Sequence, residues 1–317
     1  MHRLLFQTAV AAVVALIAPA AGAQAGATAA PSGDALLKQA ENAPKRGFFW
    51  EARKGDRKIY LLGTVHVGRA DFYPPNIEYI RRFNEATAVV VEANVFDAKR
   101  VGEVVQKLAL YPEGEPGLDT RLSADLKTRV AAQTKRFGLD TNRIWRMKPW
   151  MLANTLVILQ AASSGYNPAF ATESFLFQYA SNTSKPLLEI ESIELQLSIF
   201  DRSDAETQIS YLEQALRGIE SGDAEKEVRK IVDAWERRDV DAAERLIGEI
   251  HKAKSSGERF VADQLFDTRH PRMIEAIEKY TASGSVYLVA VGALHYFGPK
   301  GLLEALRGRG FTITPVP

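Results

Sequence analysis

Ile59-Tyr60-Leu61-Leu62-Gly63-Thr64-Val65-His66 and, near the far end of the chain, Val286-Tyr287-Leu288-Val289-Ala290-Val291-Gly292-Ala293-Leu294-His295 share one pattern: an apolar run with a tyrosine near its start, then Gly-x-x-His. Each run reads as a buried strand that stops at a glycine. Open α/β sheets gather their ligands at the carboxyl edge of the strands, so an imidazole just past such a strand stands where chemistry is done. The chain has only five histidines, at 2, 66, 251, 270 and 295. Two of them in the same setting point to one shared site.

Working outward from the first copy, Phe48-Phe49-Trp50-Glu51-Ala52 and Lys58 to Leu62 predict a hairpin around a Lys54-Gly55-Asp56 turn. After His66, Tyr73-Pro74-Pro75 opens a helix carrying Ile77, Ile80 and Phe83. Ala88-Val89-Val90-Val91-Glu92 follows, a β-branched run of the kind buried on both faces of a parallel sheet. Strand, helix, strand makes a βαβ unit with both strands pointing the same way, which puts His66 and Glu92 at one edge. Lys185 to Glu191 predicts a further strand ending in a carboxylate. Helical patterns fill about 97–180 and 201–279, including an apolar core helix opened by Pro149 and running from Trp150 to Ala162. A helix at Leu302 to Leu306 and a strand at Phe311 to Val316 complete an α/β chain.

Residues 1–23 combine a basic start (His2, Arg3), an apolar run from Leu4 to Ala18 and the small residues Ala21-Gly22-Ala23, the pattern of a cleaved secretory signal. The expected location is therefore periplasmic or secreted, with no membrane span after cleavage. Residues 24–45 read as a flexible tether, and 46–317 as a single folded domain. Lys and Arg number 40 against 39 Asp and Glu, and loss of Arg3 with the signal leaves them balanced. Such a balance carries no nucleic-acid footprint, so the expected partner is a peptide or small-molecule substrate. There is no cysteine, hence no disulfide. No Gly-x-Ser-x-Gly, phosphate loop, His-Glu-x-x-His or dinucleotide fingerprint is present.

His66, Glu92 and His295, each at a strand end, supply two imidazoles and a carboxylate, a set that zinc and facial-triad iron sites use and that also suits manganese or cobalt. The alternative is that each histidine is a satisfied sheet-edge residue and Glu92 a helix cap. Glu191 is a candidate further ligand, imidazole orienter or general base, against a plain surface carboxylate. Arg269, in Phe266-Asp267-Thr268-Arg269-His270, is a candidate oxyanion stabiliser, although an arginine in so charged a stretch is more often solvent-exposed. Gly68 and Gly298, just past the two histidines, fit a backbone that closes on a ligand.

Taken in order, Gly63-Thr64-Val65-His66, Val91-Glu92, Lys148-Pro149-Trp150, Glu191-Ser192-Ile193-Glu194-Leu195-Gln196, Arg269 and Val291-Gly292-Ala293-Leu294-His295 with Gly298 and Gly301 resemble the TraB/PrgY/GumN family, which includes the Tiki-type metalloproteases. The resemblance covers nearly all of the chain after about residue 46. It implies a mixed central sheet flanked by helices, distantly similar to erythromycin esterases and to haem-binding ChaN-like proteins. It also implies a divalent metal (Mn, Co or Zn) held by His66, Glu92 and His295. Two positions depart from the family pattern. His270 stands where an asparagine usually follows the arginine, which makes it an extra ligand candidate. Glu173, in Ala171-Thr172-Glu173, replaces the aspartate of a Gly-x-Asp.

The function these features imply is an exported metal-dependent hydrolase, a peptidase in the first instance, with Glu191 or Glu173 taking a proton from metal-bound water and Arg269 steadying the oxyanion. A second reading is a non-catalytic pocket for a peptide signal or haem-like ligand, lined by Tyr60, Tyr287, Tyr296 and Phe297. A third is an envelope scaffold whose charged helices meet a partner.

Overall fold

Alternation along the strands sets the layering of the molecule. The computed structural model describes residues 33–317, so the signal-like segment lies outside the described residues. Six strands form one sheet: β1 (Phe49–Lys54), β2 (Arg57–Thr64), β3 (Ala88–Val91), β4 (Leu187–Glu189), β5 (Tyr287–Gly292) and β6 (Thr312–Pro315), in the order β4-β3-β5-β2-β1-β6. β4, β3, β5 and β2 run parallel, while β1 pairs antiparallel with β2 and with β6. This is the mixed, helix-flanked sheet that the sequence leads one to expect.

Side chains two apart share a face, so Ile59 and Leu61 of β2, Val90 of β3 and Val289 and Val291 of β5 enter one core. Tyr60, Leu62, Val89, Val91, Leu288 and Ala290 enter the other. The first core is closed by helices that include Pro149–Ser163 and Ala205–Ser221, with Leu152, Leu156, Leu212 and Leu216 buried among them. Tyr79 and Phe83 of the helix Ile77–Glu85, with Leu176 and Ala180 of the helix Thr172–Asn182, close the second. The Pro149–Ser163 helix is apolar on nearly every side because it is buried on nearly every side. Among the described residues no helix is long and apolar enough to cross a membrane.

β5 lies between β2 and β3 and pairs in parallel with both, so the two strands of the βαβ unit point the same way without being neighbours. A strand apolar on both faces belongs in the middle of a sheet, and β5 is buried along almost its whole length. Where a tether is expected over 24–45, the helix Gly33–Asn42 occupies the described part. It is tied down by buried Ala40 and by Asn76 Nδ2, which donates to the Ala43 carbonyl at 2.6 Å.

The turn after β2 is held by a two-residue bridge: Gly68 N donates to the Asn167 carbonyl at 3.1 Å, and Asn167 N returns a bond to Gly68 at 2.8 Å. A Cβ on Gly68 would lie 2.2 Å from the Phe170 carbonyl oxygen, which is backbone and cannot swing aside. Gly68→Ala should therefore lower stability by about 1–3 kcal/mol, as overpacked substitutions do. A urea midpoint equal to wild type would show that this turn is not packed as described.

Candidate active site

Four parallel strands deliver their following residues to one edge. His66 lies just past β2, Glu92 just past β3, Glu191 two residues past β4 and His295 three past β5. Gly63 permits the approach at β2: a Cβ there would stand 3.1 Å from the Ala293 backbone. The end of β2 is clamped to the start of the helix Thr172–Asn182, since Val65 N donates to Thr172 Oγ1 at 3.2 Å and Thr172 N donates to the Val65 carbonyl at 3.0 Å. That clamp brings Glu173 to His66. Ser192 caps the helix Ile193–Asp201, accepting from Leu195 N at 3.1 Å, and so turns Gln196 back toward the carboxylates.

Arg269 occupies the middle of this edge. It is 3% exposed and sits at the N-cap of the helix His270–Ala282, after a π-helical segment, Val261–Asp267, of the kind often found at functional sites. Its Nε donates to Glu191 at 3.0 Å, and its Nη2 to Glu191 at 2.6 Å and to Glu92 Oε2. Its Nη1 reaches the Leu265 carbonyl at 3.3 Å and His295 Nε2 at 3.4 Å. A guanidinium has five N–H groups, and these contacts engage all of them. Gln196 Nε2 bridges the same two carboxylates, at 3.2 Å from Glu92 and 3.1 Å from Glu191. The backbone N–H of Gly292 completes Glu92, donating to Oε1 at 2.6 Å.

The histidine hydrogen bonds follow from that arginine. Arg269 can only donate, so His295 Nε2 accepts and the ring proton sits on Nδ1. Nδ1 then donates to His270 Nε2 at 3.0 Å, and His270 Nδ1 donates to the Lys300 carbonyl at 2.8 Å. Both rings are neutral in this chain. Burial, then the Arg269 charge and the neighbouring imidazoles, pushes His295 well below the usual histidine value, and burial lowers His270 as well. Burial works to raise the Glu92 carboxyl, but Arg269, His66 and the Gly292 amide hold it below the usual carboxylate range. Burial also opposes the Arg269 charge, and Glu92 and Glu191 more than offset this.

Beside this cluster, His66 Nδ1 stands 2.9 Å from Glu173 Oε1. Burial would raise the Glu173 carboxyl, yet His66 and the Thr64 hydroxyl keep it low, so it is ionised at neutral pH. The second carboxylate oxygen, Oε2, and Thr64 Oγ1 are both buried, and the Thr64 hydroxyl is the donor that the Glu173 carboxylate has beside it.

The structure thus gathers His66, Glu92, Glu173, Glu191, Arg269, His270 and His295 at one edge, of which the strand-end reading supplies His66, Glu92, Glu191 and His295. Arg269 is not the solvated arginine that its charged surroundings suggest; it is the buried centre of the cluster. Its donors are spent on protein, so none points at a developing oxyanion. A divalent ion does not fit the residues as they stand. The cation among Glu92, Glu191 and His295 Nε2 is the guanidinium, and among the described residues no three His, Asp or Glu side chains form a group able to hold a metal. The aromatic residues expected to line a pocket pack elsewhere: Tyr60, Tyr296 and Phe297 are buried in the two cores, and Tyr287 packs at a tilt against Tyr280. Sequence reading gave no role to Gln196 or Thr64. The signal for Gln196 was its place one helical turn after the Ser192 cap; for Thr64 it was a hydroxyl in an otherwise apolar strand.

Comparison with known proteins agrees with the geometry at the level of family. The sequence profile of the TraB/PrgY/gumN family matches residues 48–315, which spans every strand and every residue of the cluster. An uncharacterised protein of Treponema pallidum (strain Nichols) is 24% identical over 84% of this chain and 81% of its own length. The uncharacterised protein YbaP of Escherichia coli (strain K12) is 23% identical over 80% of this chain and 89% of its own. No solved structure matches. With the profile covering the sheet, both Gly-x-x-His segments and the buried arginine between them, the chain belongs to the TraB/PrgY/gumN family.

Proposed function

We propose that the protein is a hydrolase acting on an acyl bond of a peptide or small molecule, with His66 as general base and Glu173 as the carboxylate that aligns it. The observation that carries this is the contact of 2.9 Å between the half-buried side chains of His66, at Nδ1, and Glu173, at Oε1, set at the carboxyl edge of the parallel strands. With its Nδ1 proton facing an ionised carboxylate, the ring has Nε2 as its basic nitrogen, which is the arrangement general-base catalysis needs. In such a reaction His66 takes the proton of an attacking water and returns it to the leaving group. Arg269 keeps the floor of the site rigid by tying together the strands that end in Glu92 and Glu191. Export to the periplasm or beyond belongs to this proposal too, on the strength of the signal-like residues 1–23.

The test is a screen of peptide, amide and ester libraries with protein dialysed against a chelator. Hydrolysis that survives chelation is the expected result. Activity that disappears with chelation and returns with Mn(II), Co(II) or Zn(II) would restore the metal-based reading of His66, Glu92 and His295 and overturn this one.

A further inference from the structure

Two phenylalanines in the segments that carry Glu92 and Glu173 belong to neither core. Leu176 is buried in the second core and Phe175 packs against it, but Phe177 does not. Val95 packs against the first core, but Phe96 does not. The Phe96 and Phe177 rings stack on one another instead, with centroids 4.2 Å apart and planes 12° from parallel, and both residues are half-buried. A single apolar side chain left partly in water is ordinary; a stacked pair held off both cores keeps apolar surface available to a partner.

The place of the pair follows from the two carboxylates. Phe96 lies four residues past Glu92, in the segment that leaves β3 at the carboxyl edge. Phe177 lies four residues past Glu173 on the helix Thr172–Asn182, hence on the same helix face, with Cβ atoms about 5–6 Å apart. His66 stands 2.9 Å from Glu173 and its charge also acts on Glu92, so the imidazole is within reach of both acids. The stack therefore joins the two segments that flank His66. A third ring, Phe170, is exposed, one of two large apolar side chains so placed among the described residues. Its N–H donates to the Asn167 carbonyl at 3.0 Å, the same carbonyl that Gly68 bonds across the turn after His66.

We propose that Phe96 and Phe177, with Phe170 at the rim, form the subsite for a large apolar or aromatic side chain of the molecule on which His66 acts. The inference rests on the hydrolase reading and adds a substrate class to it: a peptide or amide with such a side chain flanking the scissile bond. Continuity with the His66–Glu173 pair names the occupant, since whatever covers the stack lies beside the general base. A ring laid against the pair buries apolar area on both partners and gains the offset or edge-to-face contact that aromatic rings favour.

The probe is N-acetylphenylalaninamide, with N-acetylglycinamide as the control that lacks a side chain, each followed by isothermal titration on the full chain. Saturable binding of the phenylalanine amide, at least about tenfold tighter than the glycine amide, is expected. Phe96→Ser and Phe177→Ser should each weaken it several-fold. Both should also lower the kcat/KM ratio of aromatic over glycine substrates, which a merely structural loss would leave unchanged because it lowers the two alike. Neither ring is part of a core, so the variants should fold, and either one keeps the test open if the other does not. The proposal falls if the two amides bind alike or if both serine variants keep the parental preference. It falls too if the parent is a dimer that Phe177→Ser dissolves, which would give the stack to a second copy. Tight binding of the phenylalanine amide by a protein that hydrolyses nothing would sink the hydrolase reading and keep the subsite as that of a bound ligand. Hydrolysis of glycine and phenylalanine substrates with equal kcat/KM would do the reverse.

Discussion

Replacing Arg269 with methionine should cost about 3–5 kcal/mol of folding stability, because it strands Glu92 and Glu191 in the interior without their cation. Methionine keeps much of the volume, so the loss reports charge rather than a cavity. The pH dependence gives the prediction a sign. In the parent protein the Glu92 and Glu173 carboxyls are depressed, so their contribution is present above the unfolded glutamate value of about 4.3 and is lost as the pH falls through their folded values. In the variant burial is left to raise the Glu92 carboxyl without the Arg269 charge to oppose it, so stability is regained as the pH falls from 7 toward 5. The gap between the two proteins should therefore narrow at pH 5 in urea titrations. Adding Glu92→Gln and Glu191→Gln to the methionine variant should recover part of the loss at pH 7. A methionine variant within about 0.5 kcal/mol of the parent at pH 7, the range of an ordinary surface change, would mean that Arg269 does not hold the cluster together.

His66→Ala should reduce kcat on whatever acyl substrate the library screen identifies by 10²–10⁴-fold on the order of a lost general base, with KM little changed. The ring is partly exposed at the edge and not part of either core, so the variant should fold and melt close to the parent temperature. Glu173→Gln should lie between the two, because an amide can still face Nδ1 but no longer carries the charge that favours a proton moving onto Nε2. An alanine variant that turns over substrate at the parental rate would remove His66 from the chemistry.

Much of this edge was legible from residue order alone. The unbroken apolar runs Ile59 to Leu62 and Val286 to Val291 mark strands with two buried faces, and a strand that ends in glycine and then histidine marks the working rim. What residue order does not carry is the partner of each side chain. Arg269 looks like one more cation in a charged helical stretch, because its neutralising carboxylates come from strands far back in the chain. Glu173 enters the sequence reading only through the family pattern, as a candidate proton acceptor; the pairing of Val65 with Thr172 is what reveals that it meets His66. The place of β5 between β2 and β3 is likewise a long-range fact, consistent with its apolar faces but not dictated by its neighbours in the chain.

The late arrival of β5 has a consequence for biogenesis. Until Tyr287–Gly292 have been made, roughly two hundred residues after β3, β2 and β3 have no strand to join them, and each offers an open parallel edge of unpaired amides and carbonyls. Contacts of such long sequence separation form slowly. The nascent chain is accordingly most vulnerable to self-association in the interval before β5 slots home.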